Sequence, residues 1–328
     1  MKVRLSAPSK TFLLGEYFVL QGGSALVLST KPRFTLNASR TNHTNNEVIY
    51  GVHPSSPAGR YFAQNSFFNK WQISFSDPHD GLGGFGASSA QFLLLFCLGE
   101  MISTGEFTDN DSSEGVWPRF TQAPDFLEKL WSTYQEYSDA GSGADVLAQL
   151  AGQVTHVNMG PISTEVMNWP FPHHSFALVR TGRKLATHTH LKAIKSIETT
   201  VLAEAFKMGR QSFENKNVTS FIEAVNTYQE GLRALKLVAP ESLELIEALQ
   251  STEAVTAVKG CGAMGADVLF VMYKADKESV VRDRLNLLNL PIVATSADLT
   301  HGLKTCTEST PRSKKAALKE AKTGQALL

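Results

Sequence analysis

Asp145 lies just inside the glycine turn of DAGSGADVLAQLAG, at the start of a predicted helix. A carboxylate there can be a favourable first-turn charge for the helix dipole, worth less than about 1 kcal/mol. It can also accept the proton of a reacting hydroxyl. Taken by itself, the residue favours the first reading. Lys10 raises a related question, because it is the only Lys or Arg between Leu5 and Thr30 and its neighbours are apolar. A charge in such surroundings costs free energy unless it is paired. Glu16, in the GEY triplet, is the acidic residue nearest to it in sequence.

A third feature is GLGGFGASSAQFLLLF, residues 81–96, which sets four glycines and two serines ahead of an apolar run. Fixing glycine costs conformational entropy, so a cluster needs a reason. A crowded strand-to-helix turn would be one, with Ser88 or Ser89 as the helix N-cap. Close approach of backbone N–H groups to an anion at a helix start would be another. Two loops have GxGxxG spacing, Gly81-Gly83-Gly86 and Gly260-Gly262-Gly265. The second runs into a strand, and the first lacks an acidic strand end about 20 residues on, so neither fits a dinucleotide fold. None of the glycine loops carries the Lys-Ser/Thr of a Walker loop.

The elements that must position these residues follow from periodicity. Alternation over the first 40 residues predicts short strands, broken at Gly22-Gly23, and residues 39–66 read as loop with a short strand near 48–50. WQISFS is a predicted strand, and the run after Ser88 to Met101 is a helix buried on all sides. A helix from Pro124 and the strand VTHVNM follow. Past residue 165 come the strand SFALVRT, helices over 191–208, 221–232 and 241–249, a strand–glycine loop–strand unit at 254–273, a helix at 276–288 and the strand PIVATS. Strands and helices without regular alternation predict an α+β protein. The expected domains are 1–165 and 166–310, with a basic, alanine-rich tail at 311–328.

The 328 residues hold 31 basic and 31 acidic side chains, and 42% are hydrophobic. A balanced charge gives no footprint for nucleic acid or a membrane surface. Cys97, Cys261 and Cys306 form no CxxC pair, which fits a reducing compartment and no zinc site. The first residues lack an apolar signal core and no apolar run is read as a membrane span, so the expected location is cytoplasmic.

Taken in order, three stretches resemble the motifs of the GHMP kinases, the superfamily of galactokinase, homoserine kinase, mevalonate kinase and phosphomevalonate kinase. APSKTFLLGEYFVLQGGSALVL resembles the first motif, GLGGFGASSAQ the phosphate loop usually written GLGSSAA, and KGCGAMGAD the third glycine motif. The loop departs from the usual form: Ala87 stands where a serine often does, and the stretch from Gly81 is longer. The resemblance implies a two-domain fold with a ribosomal-protein-like N-terminal domain and a ferredoxin-like C-terminal domain. It implies ATP with magnesium as the nucleotide, its phosphates cradled by Gly83, Gly84, Gly86, Ala87, Ser88 and Ser89. Ser88 or Ser89 is then the magnesium-binding hydroxyl, with Glu136 as a candidate acidic ligand. Asp145 matches the catalytic aspartate, with Lys10 facing it. Glu16, Tyr17, Ser142, Gly143, Gly262 and Ala263 fall at substrate-side positions.

Within the family, the GEY triplet, GSGADV and the Asp267 that ends GAMGAD resemble phosphomevalonate kinase most, although the short chain is nearer the size of mevalonate kinases. The densest basic stretch outside the tail is Arg180, Arg183, Lys184, His188, His190 and Lys192. Thr181-Gly182 predicts a turn that exposes Arg183 and Lys184, candidate cations for a phosphorylated acceptor; a solvated basic loop is the other reading. The expected activity is phosphorylation of phosphomevalonate. The alternatives are phosphorylation of the mevalonate 5-hydroxyl, diphosphomevalonate decarboxylation and a non-catalytic ligand-binding relative. A homodimer is the expected assembly.

Overall fold

The computed structural model describes residues 1–41, 49–107, 124–139, 141–182 and 199–308. Two long strands form its spine, β1 (Lys2–Leu14) and β2 (Ser24–Arg40), each continuous where the sequence predicts shorter pieces. They pair antiparallel along nearly their whole length. On its far edge β2 changes partner: residues 24–28 pair with β4 (Val154–Met159) and residues 35–40 with β3 (Trp71–Ser76). Pro32, which has no N–H to give a ladder, falls between those two pairings. β5 (Ile162–Met167) extends the sheet beyond β4.

The helix α1 (Pro57–Gln64) lies in the stretch read as loop. Ser56 caps it by accepting the Gly59 N–H at 3.1 Å, with Pro57 at the first helical position, so a Ser-Pro that reads as a turn is a helix start. α2 (Ala87–Thr104) is long and apolar enough to cross a membrane by length and composition, with a mean hydropathy of 1.3 over 18 residues. Most of it is buried instead, because it packs on β1 and β2 beside α4 (Ala144–Ala151). α3 (Pro124–Tyr137) runs along them, and Tyr61, Phe92, Phe96, Tyr134 and Tyr137 join α1, α2 and α3 in one aromatic cluster.

The second sheet has the order β7-β8-β6-β9, with every pairing antiparallel. Its strands are β6 (His174–Arg180), β7 (Val255–Cys261), β8 (Val268–Lys274) and β9 (Ile292–Thr295). Between β6 and β7 come α5 (Thr200–Glu214), α6 (Val218–Ala234) and α7 (Pro240–Gln250), and α8 (Glu278–Leu287) joins β8 to β9. That order is the ferredoxin-like split βαβ. The first half of the helix expected at 191–208 lies outside the described residues.

One connection departs from a division by sequence. β10 (Lys304–Glu308) falls within 166–310 but pairs with β1, Lys2 opposite Glu308 through Ser6 opposite Lys304, so it belongs to the first sheet. The Arg33 guanidinium holds this return. It donates to the Ser6 carbonyl at 2.8 Å and to the carbonyls of His301 and Gly302 at 2.7 and 2.6 Å. Burial away from water lowers the Arg33 pKa to about 10.

Candidate active site

The glycines from 81 to 86 all have left-handed backbone, and two of them meet neighbours that leave no room for a side chain. A Cβ on Gly84 would lie 2.9 Å from the Asp267 Cβ, and one on Gly86 would lie 2.6 Å from the Lys10 Cγ. The loop therefore touches the first motif on one side and the third glycine motif on the other. Gly86 is the N-cap of α2 and no side chain caps it. The two serines differ. Ser89 is buried and its hydroxyl donates to the Gly86 carbonyl at 3.0 Å, whereas Ser88 is exposed at the helix start. Neither is the N-cap, so the capping alternative does not hold. With Ala87, Ser88 and Ser89 in the first turn, the helix presents backbone N–H groups that have no partner within it.

Lys10 and Asp145 meet: Nζ lies 3.6 Å from Oδ2, with side chains 16% and 22% exposed. Asp145 is in the first turn of α4 behind Gly143, and its other oxygen accepts the Val146 N–H at 3.1 Å. Lys10 is tied to the phosphate loop through its backbone, its N–H donating to the Phe85 carbonyl at 2.9 Å. α3 holds the glycine turn ahead of Asp145. Trp131 Nε1 donates to the Ser142 carbonyl at 3.0 Å and Gln135 Nε2 to the Gly141 carbonyl at 2.9 Å. The Tyr134 ring packs on Gly141 and Gly143, and burial followed by the Asp145 charge pushes its phenol well above the usual range. Residues 131, 134 and 135 share one helix face. Glu136 is exposed on another, and no described contact joins it to Asp145 or to the α2 loop.

Glu16 does not pair with Lys10. Its carboxylate bonds Lys259, a lysine without solvent exposure at the end of β7, which also donates to the Gly260 carbonyl at 2.8 Å. Burial works against the Lys259 charge, but Cys261 and the Glu16 carboxylate outweigh it and hold its pKa above the ordinary value. This pair fastens the first motif to the third. Tyr17 is buried beside Glu16, and burial, then that charge, push its phenol upward. Gly262 starts the third loop with the Asp267 carboxylate 3.2 Å from where its Cβ would be, and Ala263 begins the short helical turn Ala263–Gly265. Arg183 and Lys184 lie outside the described residues.

Two residues at the centre were not singled out by sequence. Gln149, one turn after Asp145 and fully buried, donates to the Pro8 carbonyl at 2.7 Å and the Gly86 carbonyl at 3.2 Å, bridging α4, β1 and the loop. Its signal was an amide among the apolar residues of ADVLAQLA. Lys259 gave the same kind of signal, a lone charge at the end of an apolar strand and the first residue of KGCGAMGAD.

No protein-family model and no curated protein sequence matches the chain. Solved structures do. Streptococcus pneumoniae phosphomevalonate kinase in complex with phosphomevalonate and AMPPNP superposes with a TM-score of 0.72 at 14% identity, over 89% of this chain and 98% of that one. Methanococcus jannaschii mevalonate kinase gives 0.65 at 15% identity, over 89% and 97%. Lactococcus lactis galactokinase complexed with galactose gives 0.67 at 12% identity, over 92% and 95%. Such identities speak to architecture, and over nine-tenths of its length the chain has the α+β fold of the GHMP kinases.

Proposed function

We propose that the protein is an ATP-dependent kinase of the mevalonate pathway that phosphorylates phosphomevalonate. The observation that carries this reading is the meeting of Lys10, Asp145 and the uncapped start of α2 around Gly86. The glycine loop offers backbone donors to the ATP phosphates, at the positive end of α2. Asp145 accepts the proton of the acceptor hydroxyl as its oxygen bonds the γ-phosphorus and the bond to ADP breaks. Lys10, 3.6 Å from Asp145, steadies negative charge on the attacking oxygen.

Magnesium is tested by the donors present. Among the described residues no group of three His, Cys, Asp or Glu side chains could hold a metal. The ion commonly takes one or two protein ligands and completes its shell with phosphate and water. An exposed Ser88 hydroxyl at the loop fits that demand, while the Ser89 hydroxyl is committed to Gly86. When bound, the ion would neutralise charge on the transferring phosphates.

Support for the acceptor comes from the basic stretch that begins at Arg180 and from the phosphomevalonate-bound neighbour. The test is ADP release with mevalonate, phosphomevalonate, diphosphomevalonate and homoserine side by side. Highest kcat/KM with phosphomevalonate is the expected outcome. Preference for mevalonate moves the assignment to the plain alcohol, and carbon dioxide from diphosphomevalonate moves it to a decarboxylase. Silence with all four overturns the kinase reading for this pathway.

A further inference from the structure

β6 ends in a cation, Arg180, that forms no ion pair among the described residues. The half-buried Arg180 guanidinium donates from Nη2 to His79 Nδ1 at 3.3 Å and lies 5.6 Å from the centre of the Phe85 ring. His79 is itself stacked on Phe85, ring centres 4.5 Å apart and planes 15° apart. The direction of each bond is set from the far end. Ser9 donates its hydroxyl proton to the Pro32 carbonyl at 2.6 Å, so it accepts from His79 Nε2 at 2.7 Å. That leaves Nδ1 as a bare acceptor for Arg180. Burial lowers the pKa of His79 and Arg180 lowers it further, while Asp77 and Asp80 pull the other way.

The described partners of Arg180, His79 and the Phe85 ring, are therefore neutral. Asp77 and Asp80 lie near His79, and neither forms an ion pair with Arg180 among the described residues. Its Nε is buried with no acceptor among the described residues. A guanidinium drawn partly out of water without an anion is costly, and a neutral imidazole can aim it without discharging it. Its place is the seam between two glycine loops. Phe85 immediately precedes the N-cap of α2, and the Thr181 N–H donates to the Asp267 carbonyl at 3.2 Å, beside the point where Gly84 approaches Asp267. Residues 81–89 have no Lys or Arg of their own.

We propose that Arg180, aimed by His79, is the side chain that receives a substrate phosphate at this seam, with the second sheet lending the phosphate loop the cation it lacks. This rests on the kinase reading above and adds a recognition residue to it. The phosphate belongs either to the nucleotide or to the acceptor. A guanidinium fork can bind two oxygens of either through parallel N–H groups, a planar geometry that an ammonium does not present.

The test compares wild type with Arg180→Gln, Arg180→Lys and His79→Phe, after melting curves establish that each is folded. One arm measures AMPPNP and adenosine binding by calorimetry; the other measures KM for phosphomevalonate and for mevalonate. Arg180→Gln is expected to weaken one phosphate-bearing ligand by roughly 10- to 100-fold, the range of a charged hydrogen bond. Its phosphate-free counterpart should be unchanged. A loss confined to AMPPNP assigns the nucleotide, and a loss confined to phosphomevalonate assigns the acceptor. Arg180→Lys should lose less in the same arm, and His79→Phe, which keeps the ring and removes Nδ1, should lose part of it. Should Arg180→Gln not fold, Arg180→Lys carries the test. Wild type that binds its ligands and variants that bind them equally well overturn this inference alone. Wild type that binds no phosphate-bearing ligand overturns the kinase reading with it.

Discussion

Asp145 and Lys10 are 135 positions apart in the chain and 3.6 Å apart in space, and each answers the other's cost of burial. Asp145→Asn keeps the shape of the turn but removes the proton acceptor. Turnover should fall by about two to four orders of magnitude while AMPPNP affinity stays near that of wild type. Single-turnover kinetics beside a binding isotherm decides it, and a rate within threefold of wild type makes Asp145 a helix-start charge only. The two serines separate at the same scale. Ser88→Ala should raise the magnesium concentration needed for half-maximal rate. Ser89→Ala should leave that value alone and cost about 1 kcal/mol of stability, one hydrogen bond's worth. A magnesium titration and a denaturant melt on both variants read the two effects, and equal small effects would mean the loop binds phosphate through its backbone alone.

At the level of elements, Gln149 couples three pieces of the site. Gln149→Leu removes the side-chain donor from the Pro8 carbonyl and one of the donors to the Gly86 carbonyl, which keeps Ser89 Oγ, and frees the loop from α4. The expected result is a loss of kcat/KM of about 5- to 100-fold, matching 1–3 kcal/mol of unpaired polar group. Steady-state kinetics checks it; an unchanged kcat/KM with unchanged melting would show that the loop holds its own shape. Elements of strong periodicity were readable before any coordinates: β3, α2, β4 and the strand–loop–strand around Gly262 lie where alternation and glycine place them. α1 was hidden because Ser56-Pro57 serves equally as turn or helix start. β5 and β10 were hidden because short polar strands owe their form to a neighbouring edge. Lys10 and Asp145 were legible as motif residues, but their partners were not. Lys10 had two acidic candidates by sequence, and what decided between them was Lys259, which takes Glu16 from 243 residues away.

Across the whole molecule, that buried pair ties the turn after β1 to β7 of the second sheet. Lys259→Met strands the Glu16 carboxylate away from water and should cost about 3–5 kcal/mol, whereas the double variant with Glu16→Leu should recover part of it. Urea unfolding of wild type, both singles and the double closes the cycle, and additive losses would deny the coupling. His79 gives a pH signature. Its pKa in the fold is below the ordinary value near 6.5, so the unfolded chain binds the proton first as pH falls. The stability this contributes is present above that value and declines with acid until the folded pKa is passed. Asp77 and Asp80 oppose the shift and Arg180 enlarges it. Melts at pH 7.5 and 5.5 should show a larger acid loss for wild type than for His79→Phe, which has no ring proton to gain; identical losses would rule the device out.

The return of β10 to β1 also has a meaning in time. β1 is complete once Leu14 has left the ribosome, but the strand that covers its outer edge is roughly 290 residues later. At about 5–20 residues per second, that edge stays open for roughly 15 to 60 s during synthesis. Through that interval Lys2 and Arg4 are the charges on an unpaired strand end, the kind of side chain that discourages a second chain from adding there. In the nascent chain β1 waits for β10, and a ribosome-stalled chain ending before Lys304 should aggregate more with Lys2 and Arg4 replaced by apolar residues than with them in place.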